Sequence, residues 1–218
     1  MARKPTRSRK PEDPWAEAVQ HLRQVDPRYA ALIERIGPCR LRPRPDRFGT
    51  LVRAIIGQQI SSKAAASIDG RLRVMGSDPH RPDVIAALGE NGLKSAGLSS
   101  NKARSVLELS EAVIRRDLPL DEIDSWDDES ILEALTKVWG IGPWTAEMFL
   151  IFALNRPDVM PGGDLGVRAA MRKLHGLDEI PKPHECRTLA ELWRPYRTIA
   201  IWYLWADLDA PAPIPEES

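Results

Sequence analysis

The sequence has only two cysteines among its 218 residues, Cys39 and Cys186, and they are far apart and in no metal-ligand spacing. This scarcity argues against a zinc or iron–sulfur site and is typical of a reducing compartment. Long apolar runs are also missing, because even the stretch FLIFAL at 149–154 is too short to cross a bilayer. The basic N-terminus is not followed by the apolar segment of a secretory signal. These absences favour a cytoplasmic protein that does not bind a membrane.

The chain has no excess charge of either sign, since 31 lysines and arginines balance 31 aspartates and glutamates. Five of the basic residues lie in the first ten positions, so the rest of the chain is slightly acidic. A nucleic-acid-binding protein is usually more basic than this. Nucleic-acid binding would therefore depend on a local patch, with the basic tail as an auxiliary contact.

No segment shows the alternation of apolar and polar residues that predicts a β-strand, and no internal repeat is visible. Apolar residues recur at helical spacing instead. The sequence therefore predicts an all-α protein of about ten helices. Among them are segments at 15–25, 29–36, 82–89, 99–117, 128–139, 143–154, 183–194 and 196–208.

The strongest functional signal lies between Leu135 and Asp164. An apolar helical segment ends at a turn that contains Gly140 and Gly142, a second helix begins at Pro143, and a polar loop leads to Asp164. Glycine lets a ligand approach the main chain, and the N–H groups at the start of the second helix can hold an anion such as phosphate. Glycine spacing alone favours an ordinary corner between two helices, so further evidence is needed for an anion site.

Together, the hairpin, the loop and the aspartate resemble the helix-hairpin-helix DNA glycosylases, in particular the DNA-3-methyladenine glycosylase II branch. The resemblance covers about residues 47–206 and is most specific in VWGIGPWTAEMFLIF, at 138–152, followed by Asp164. Three further motifs match, namely AIIGQQIS at 54–61, WRPYR at 193–197 and IWYLW at 201–205.

The resemblance implies a compact fold of two helical subdomains with the active-site cleft between them and no extra N-terminal β domain. One subdomain is expected at 15–46 plus 156–209. The other, a helical barrel, is expected at 47–155 and contains the hairpin at about 135–154. Residues 1–14 and 210–218 are expected to form a disordered basic tail and a flexible tail. The implied partner is double-stranded DNA with alkylated bases, bound by a monomer.

The resemblance also assigns roles to individual residues. Asp164 corresponds to the catalytic carboxylate. The residues expected to bind DNA lie in the hairpin and in the loop that supplies a wedge for the gap left by an extruded base, with Gln59 as the first choice for that wedge. They are Gln58, Gln59, Ile60, Ser61, Gly140, Ile141, Gly142 and Thr145. A monovalent cation, Na⁺ or K⁺, is expected at the backbone carbonyl oxygens of Thr136, Val138 and Gly140.

At two places the sequence differs from other members of the wider superfamily, and each difference excludes a property that those members have. Relatives that also cleave the DNA backbone have a lysine that forms a Schiff base with the sugar, and here that position is Trp144. Relatives that resemble endonuclease III have a four-cysteine iron–sulfur cluster, for which this chain lacks the cysteines. We therefore expect base removal without strand cleavage and without a required cofactor.

The expected reaction is hydrolysis of an N-glycosidic bond through an oxocarbenium-like sugar, for which a fixed carboxylate is an electrostatic partner. An alkylated purine already carries positive charge, so its pocket needs aromatic faces more than a proton donor. Trp205 is the first choice for such a face, and the other candidates are Trp144, Trp139, Trp202 and Tyr203. Activity on etheno or deaminated bases, and a non-catalytic DNA-binding protein, remain as alternatives.

Overall fold

The computed structural model describes residues 13–77 and 80–209, except for the side chain of Asp209. These ranges contain eleven α-helices and two short 3-10 helices, and no strand occurs in them. The all-α prediction is confirmed, with eleven helices in place of the ten expected. None of the helices in the described ranges has both the length and the apolar character needed to cross a membrane. The predicted tails, apart from Asp13 and Pro14, lie outside the described residues.

The helices follow one another along the chain with short connectors. They are α1 (Ala16–Val25), α2 (Arg28–Ile36), α3 (Arg47–Gly57), α4 (Ser62–Met75), α5 (Pro82–Ser95), α6 (Ser100–Ile114), α7 (Asp128–Thr136), α8 (Pro143–Phe152), α9 (Leu165–His175), α10 (Pro183–Leu189) and α11 (Arg197–Asp209). The 3-10 helices are Ile123–Ser125 and Glu191–Trp193.

The chain forms two compact units, which divide between Arg40 and Leu41 and between Gly163 and Asp164. Unit 1 contains both ends of the described chain, and unit 2 contains the middle. The sequence placed the boundaries at 46/47 and 155/156, which lie in the same two connectors but at other residues.

Unit 1 is built around α11, which packs against α2 and α9. Trp193, from the WRPYR motif, is fully buried, and its Nε1 donates a hydrogen bond to Asp26 Oδ2 at 2.9 Å. The same carboxylate accepts from Arg28 Nε at 2.7 Å and Nη2 at 2.9 Å. A buried carboxylate is stable only with such partners, so this network joins the two chain segments of the unit.

Unit 2 has α8 at its centre, where it packs against α3 and α7. This helix is apolar on nearly every side, and Ala146, Phe149, Leu150 and Ile151 are each at most 1% exposed. Burying a side chain of the Leu, Ile or Phe type stabilises the fold by about 1.5–3 kcal/mol. Since α8 begins directly after Gly142, the core of the unit holds the hairpin in position.

The predicted helix ends were correct at one turn and wrong at another. The predicted end at 89 coincides with Gly89, whose φ of +61° interrupts α5, and a second helical stretch continues from there to Ser95. Helix α7 ends at Thr136 in place of 139, where the Val138 N–H bonds to the Leu135 carbonyl at 3.1 Å and the hairpin turn starts. Apolar periodicity does not predict helix ends accurately where a turn determines the last helical residue.

Candidate active site and hairpin

The hairpin is a tight turn between α7 and α8. Its backbone closes through the Ile141 N–H, which donates to the Val138 carbonyl at 3.1 Å. Gly140 has a φ of +80°, and a Cβ built there would lie 1.8 Å from Ser105 Oγ on α6. Gly142 has an ordinary extended backbone, and a Cβ there would meet no atom of residues 13–77 or 80–209 within 4 Å. The fold therefore requires glycine at 140 but does not require it at 142.

Two of the residues predicted to bind DNA have buried side chains. Ile141 is 4% exposed and Thr145 is 1% exposed. Their side chains therefore belong to the core of unit 2, and any contact they make with a ligand is through the backbone. The N–H groups in the first turn of a helix have no acceptor inside that helix, and the Thr145 N–H lies in the first turn of α8.

The loop between α3 and α4 is tied to the hairpin by Gln58. Its Nε2 donates to the Gly140 carbonyl at 3.1 Å and to Thr145 Oγ1 at 2.9 Å. The other side of the loop is held by Lys102 of α6, whose Nζ donates to the carbonyls of Ile56 and Gln58, both at 2.7 Å. Burial lowers the pKa of the Lys102 ammonium from its usual value. The loop and the hairpin thus form one hydrogen-bonded structure.

Gln59 and Ile60 lie at the exposed end of this loop. Gln59 has a φ of +57°, which is uncommon for a residue other than glycine, and its side chain is exposed. Ile60 is 38% exposed. Ser61 ends the loop as the N-cap of α4, where its hydroxyl accepts from the Ala64 N–H at 3.2 Å. The backbone places Gln59 at the tip of the loop, and its role as the wedge stays a prediction.

Asp164 is the N-cap of α9, and its Oδ1 accepts two hydrogen bonds. One comes from the Val167 N–H at 2.7 Å and the other from Trp205 Nε1 of α11 at 3.2 Å. A Cβ added at Gly166 would lie 3.1 Å from the same oxygen and 3.7 Å from Trp205 Cδ1. The carboxylate is therefore oriented by its own helix and by a tryptophan distant in sequence.

The structure corrects one of the predicted pocket residues. Tyr203 is fully buried in unit 1, and its hydroxyl donates to the Gly37 carbonyl at 2.9 Å. Burial raises the pKa of Tyr203 to about 12. The ring is part of the core and does not present a face to a base. Trp202, next to it, is half-buried and contacts the Tyr203 ring edge-on at a centroid distance of 5.0 Å.

The two remaining candidate tryptophans lie in unit 2. Trp144 is half-buried in the first turn of α8. Trp139, directly before Gly140, is 40% exposed, and the guanidinium carbon of Arg104 lies 4.2 Å from its ring centroid. Both partners line a surface depression of about 720 Å³ between α6 and α7. Of the predicted aromatic residues, Trp205 is hydrogen-bonded to Asp164 within unit 1.

The three carbonyl groups predicted to bind a cation belong to the last residue of α7, Thr136, and to two residues of the turn after it, Val138 and Gly140. Two of them already accept one hydrogen bond, Val138 from the Ile141 N–H and Gly140 from Gln58 Nε2. A carbonyl oxygen has two lone pairs, and backbone carbonyl oxygens can replace the hydration shell of an alkali metal ion such as K⁺. The residues therefore fit the expected cation, which stays a prediction. Among the described residues, no cluster of three or more histidine, cysteine or acidic side chains could hold a metal ion.

A comparison with family models matches residues 52–195 to the HhH-GPD superfamily of base excision DNA repair proteins. The match extends from α3 to the WRPYR motif and includes both the hairpin and Asp164. The chain belongs to this superfamily. The helix-hairpin-helix resemblance drawn from the sequence is thereby confirmed.

Relatives in this superfamily match most of the chain. DNA-3-methyladenine glycosylase 1 of Schizosaccharomyces pombe is 36% identical over 87% of this chain and 86% of the relative. The alkylbase DNA glycosidase-like protein mag2 of the same yeast is 32% identical over 88% of this chain and 92% of its own length. The structure of S. pombe 3-methyladenine DNA glycosylase Mag1 in complex with abasic DNA has a TM-score of 0.80 and 35% identity, over 87% of this chain and 95% of that one.

Sequence reasoning missed Lys102 and Arg104, which lie two residues apart on α6. Nothing in the local pattern of α6 shows that one lysine holds the loop before α4 and that one arginine stacks on the hairpin. The exposed position of Arg104 on an amphipathic helix was the only available signal, and most such residues are solvated without a specific contact.

Proposed function

We propose that this protein is a monofunctional DNA glycosylase that removes alkylated purines, of the 3-methyladenine and 7-methylguanine type, from double-stranded DNA. The product is an abasic site. The observation that carries the proposal is Asp164, a carboxylate at a helix N-terminus that is oriented by a tryptophan, in a chain that also has the superfamily's hairpin. The names of the relatives support the choice of alkylated bases.

In this reaction the bond between the sugar C1′ and the base nitrogen breaks, and its electron pair leaves with the base. An alkylated purine is a cation before the bond breaks, so it leaves as a neutral molecule and needs no general acid. The sugar passes through an oxocarbenium-like state that the carboxylate of Asp164 stabilises electrostatically. Water then adds its oxygen to C1′ and loses one proton.

The nucleotide must leave the base stack before this chemistry can occur, which costs a few kcal/mol and less for a damaged base. In our proposal the first-turn amides of α8 bind a phosphate, and Gln59 fills the gap in the duplex. The hydrogen bonds of Gln58 to Gly140 and Thr145 support this assignment, because they fix the loop relative to the hairpin.

Trp144 supports the monofunctional assignment. An indole cannot form the Schiff base through which bifunctional relatives cleave the strand. The expected product is therefore an intact strand with an abasic site, which breaks only after alkali or heat.

The test is base release from duplex DNA that carries 7-methylguanine or 3-methyladenine, measured for the wild type and for Asp164→Asn. We expect release by the wild type, a loss of about a hundredfold or more in the variant, and no borohydride-trapped adduct with either. Equal release by both proteins would remove Asp164 from the mechanism, and a trapped adduct would contradict the monofunctional assignment. Release only from etheno or uracil duplexes would assign another lesion, and no release from any duplex would contradict the enzymatic function.

A further inference from the structure

Trp139 is a large aromatic side chain on the surface, at the position directly before the first hairpin glycine. It is 40% exposed, and the Arg104 guanidinium lies over its ring at 4.2 Å. A guanidinium is attracted to the face of an indole ring. The exposed tryptophan therefore has a partner of its own, and that partner is a cation beside the hairpin.

The stack leaves the hydrogen-bonding edge of Arg104 available. Stacking uses the flat face of the guanidinium, whereas its N–H donors point outward in the plane and match the geometry of a phosphate. The side chain is 58% exposed, and its ion-pair partner Glu108 lies at 3.6 Å on the same helix. Surface pairs of this kind are weak, so a phosphate can replace the carboxylate.

The position of Arg104 relative to the hairpin is fixed within unit 2. Its neighbour Ser105 is in close contact with Gly140, and its stacking partner precedes Gly140 in the chain. Along one DNA strand, a negative charge recurs about every 3.4 Å of the helix axis. A phosphate next to one that binds the hairpin amides therefore lies within reach of a long side chain beside the hairpin.

We propose that Arg104, held on Trp139, binds a DNA phosphate adjacent to the one bound by the hairpin. The proposal rests on the proposed DNA function and adds a residue to the contact surface. Because Arg104 contacts the DNA backbone, the contact contributes to the affinity and to the register of the protein on the duplex. This contribution does not depend on the base that is removed.

The residue directly after the same helix supplies a matched control. Arg115 follows α6 and lies eleven residues after Arg104, about 16 Å further along the axis. Its side chain is 56% exposed, close to the 58% of Arg104. It is held by two carboxylates, Asp117 at 2.9 Å and Glu111 at 3.1 Å. Arg115 therefore has the same charge and exposure without the stack or the nearby hairpin.

The test measures binding to a duplex that contains a tetrahydrofuran abasic analogue, by fluorescence anisotropy between 50 and 200 mM KCl. Each phosphate contact contributes about 0.9 to the slope of log affinity against log salt concentration. We expect Arg104→Gln to bind more weakly and to reduce the slope by about 0.9. Arg115→Gln should keep the wild-type slope, and Glu108→Gln should bind more tightly because a competing carboxylate is removed.

The proposal would be overturned if a folded Arg104→Gln variant kept the wild-type slope of log affinity against log salt concentration. It would also be overturned if Arg104→Gln and Arg115→Gln lost the same amount of DNA affinity, or if Glu108→Gln bound DNA more weakly than the wild type. Base release by the wild type is measured in parallel. A wild type that binds and releases base, beside an Arg104→Gln variant with the wild-type slope, contradicts only the role of Arg104. A wild type that neither binds nor releases base contradicts the proposed function itself.

Discussion

At Asp164, one oxygen accepts two hydrogen bonds of different origin. The bond from the Val167 N–H joins residues three apart and is the usual N-cap contact of a helix. The bond from Trp205 Nε1 joins residues 41 apart and exists only because α9 packs against α11. The first contact orders the start of the helix, and the second selects the direction of the carboxylate.

Trp205→Phe tests the second contact, because it keeps an aromatic ring and removes the N–H donor. Losing a hydrogen bond that orients a charged group costs about 1.5 kcal/mol or more, and about 1.4 kcal/mol corresponds to tenfold in rate. We expect base release under single-turnover conditions to fall about tenfold. In an Asp164→Asn background the same substitution should change little.

This double-mutant cycle separates orientation of Asp164 from stacking on the base. If Trp205 acts only as a stacking face, Trp205→Phe will have the same effect in both backgrounds. An effect that is independent of residue 164 would therefore contradict the positioning role.

At the scale of the hairpin, the two glycines serve different purposes. Gly140 has a left-handed φ of +80° and is in close contact with Ser105, whereas Gly142 has space around it. The physical requirement at 140 comes from the fold. At 142 no described atom of the protein lies close enough to exclude a side chain, so a requirement there would come from a ligand.

The alanine variants at these positions should separate stability from binding. Gly140→Ala is expected to lower the free energy of unfolding by about 1–3 kcal/mol, because of its backbone strain and the clash with Ser105. Gly142→Ala should stay within about 0.5 kcal/mol of the wild type and yet weaken DNA binding. Urea unfolding and anisotropy with duplex DNA give the two measurements.

Equal stability losses in the two variants would contradict this difference between the glycines. A Gly142→Ala protein with the stability and the DNA affinity of the wild type would show that the backbone at this position does not approach a ligand closely.

At the scale of the whole molecule, unit 1 joins two chain segments that are distant in sequence. Asp26 is 2% exposed and binds Trp193, which is 167 residues away, and Arg28. Burial alone would raise the pKa of this carboxyl. The hydrogen bonds from Arg28 and Trp193 outweigh burial, so the pKa lies below its usual 3.8.

Asp26→Asn should therefore lower the free energy of unfolding by about 1–3 kcal/mol near neutral pH. A lowered folded pKa means that the stabilisation is complete above the unfolded value and is lost as pH falls through the folded one. The difference in the free energy of unfolding between wild type and variant should be constant above about pH 5 and shrink in more acidic solution. Urea unfolding across this range measures it.

Glu133→Gln serves as the control, since Glu133 is an exposed carboxylate paired with Lys137. Glu133→Gln should lower the free energy of unfolding much less than Asp26→Asn does, because surface ion pairs contribute little to stability. If the free energy of unfolding of Asp26→Asn fell further below that of the wild type as the pH was lowered, the assigned downward shift of the Asp26 pKa would be contradicted.

Much of the secondary structure follows from rules that relate a residue to its near neighbours in the sequence. Apolar periodicity predicted the helices, and glycine and proline placed the turn between α7 and α8. Asp164 is of a residue type that is common at the N-cap of a helix, and the structure shows it in that position before α9. These features depend on residues within a few positions of one another, so the sequence alone was enough to determine them.

The tertiary structure decided which side chains meet. Helix α11 is apolar around most of its circumference, so its pattern did not show that Tyr203 points into the core while Trp205 reaches Asp164. The contacts of Gln58 with the hairpin and of Lys102 with the loop likewise join distant residues. Periodicity shows which residues share a helix face, but what that face contacts depends on the packing of other helices.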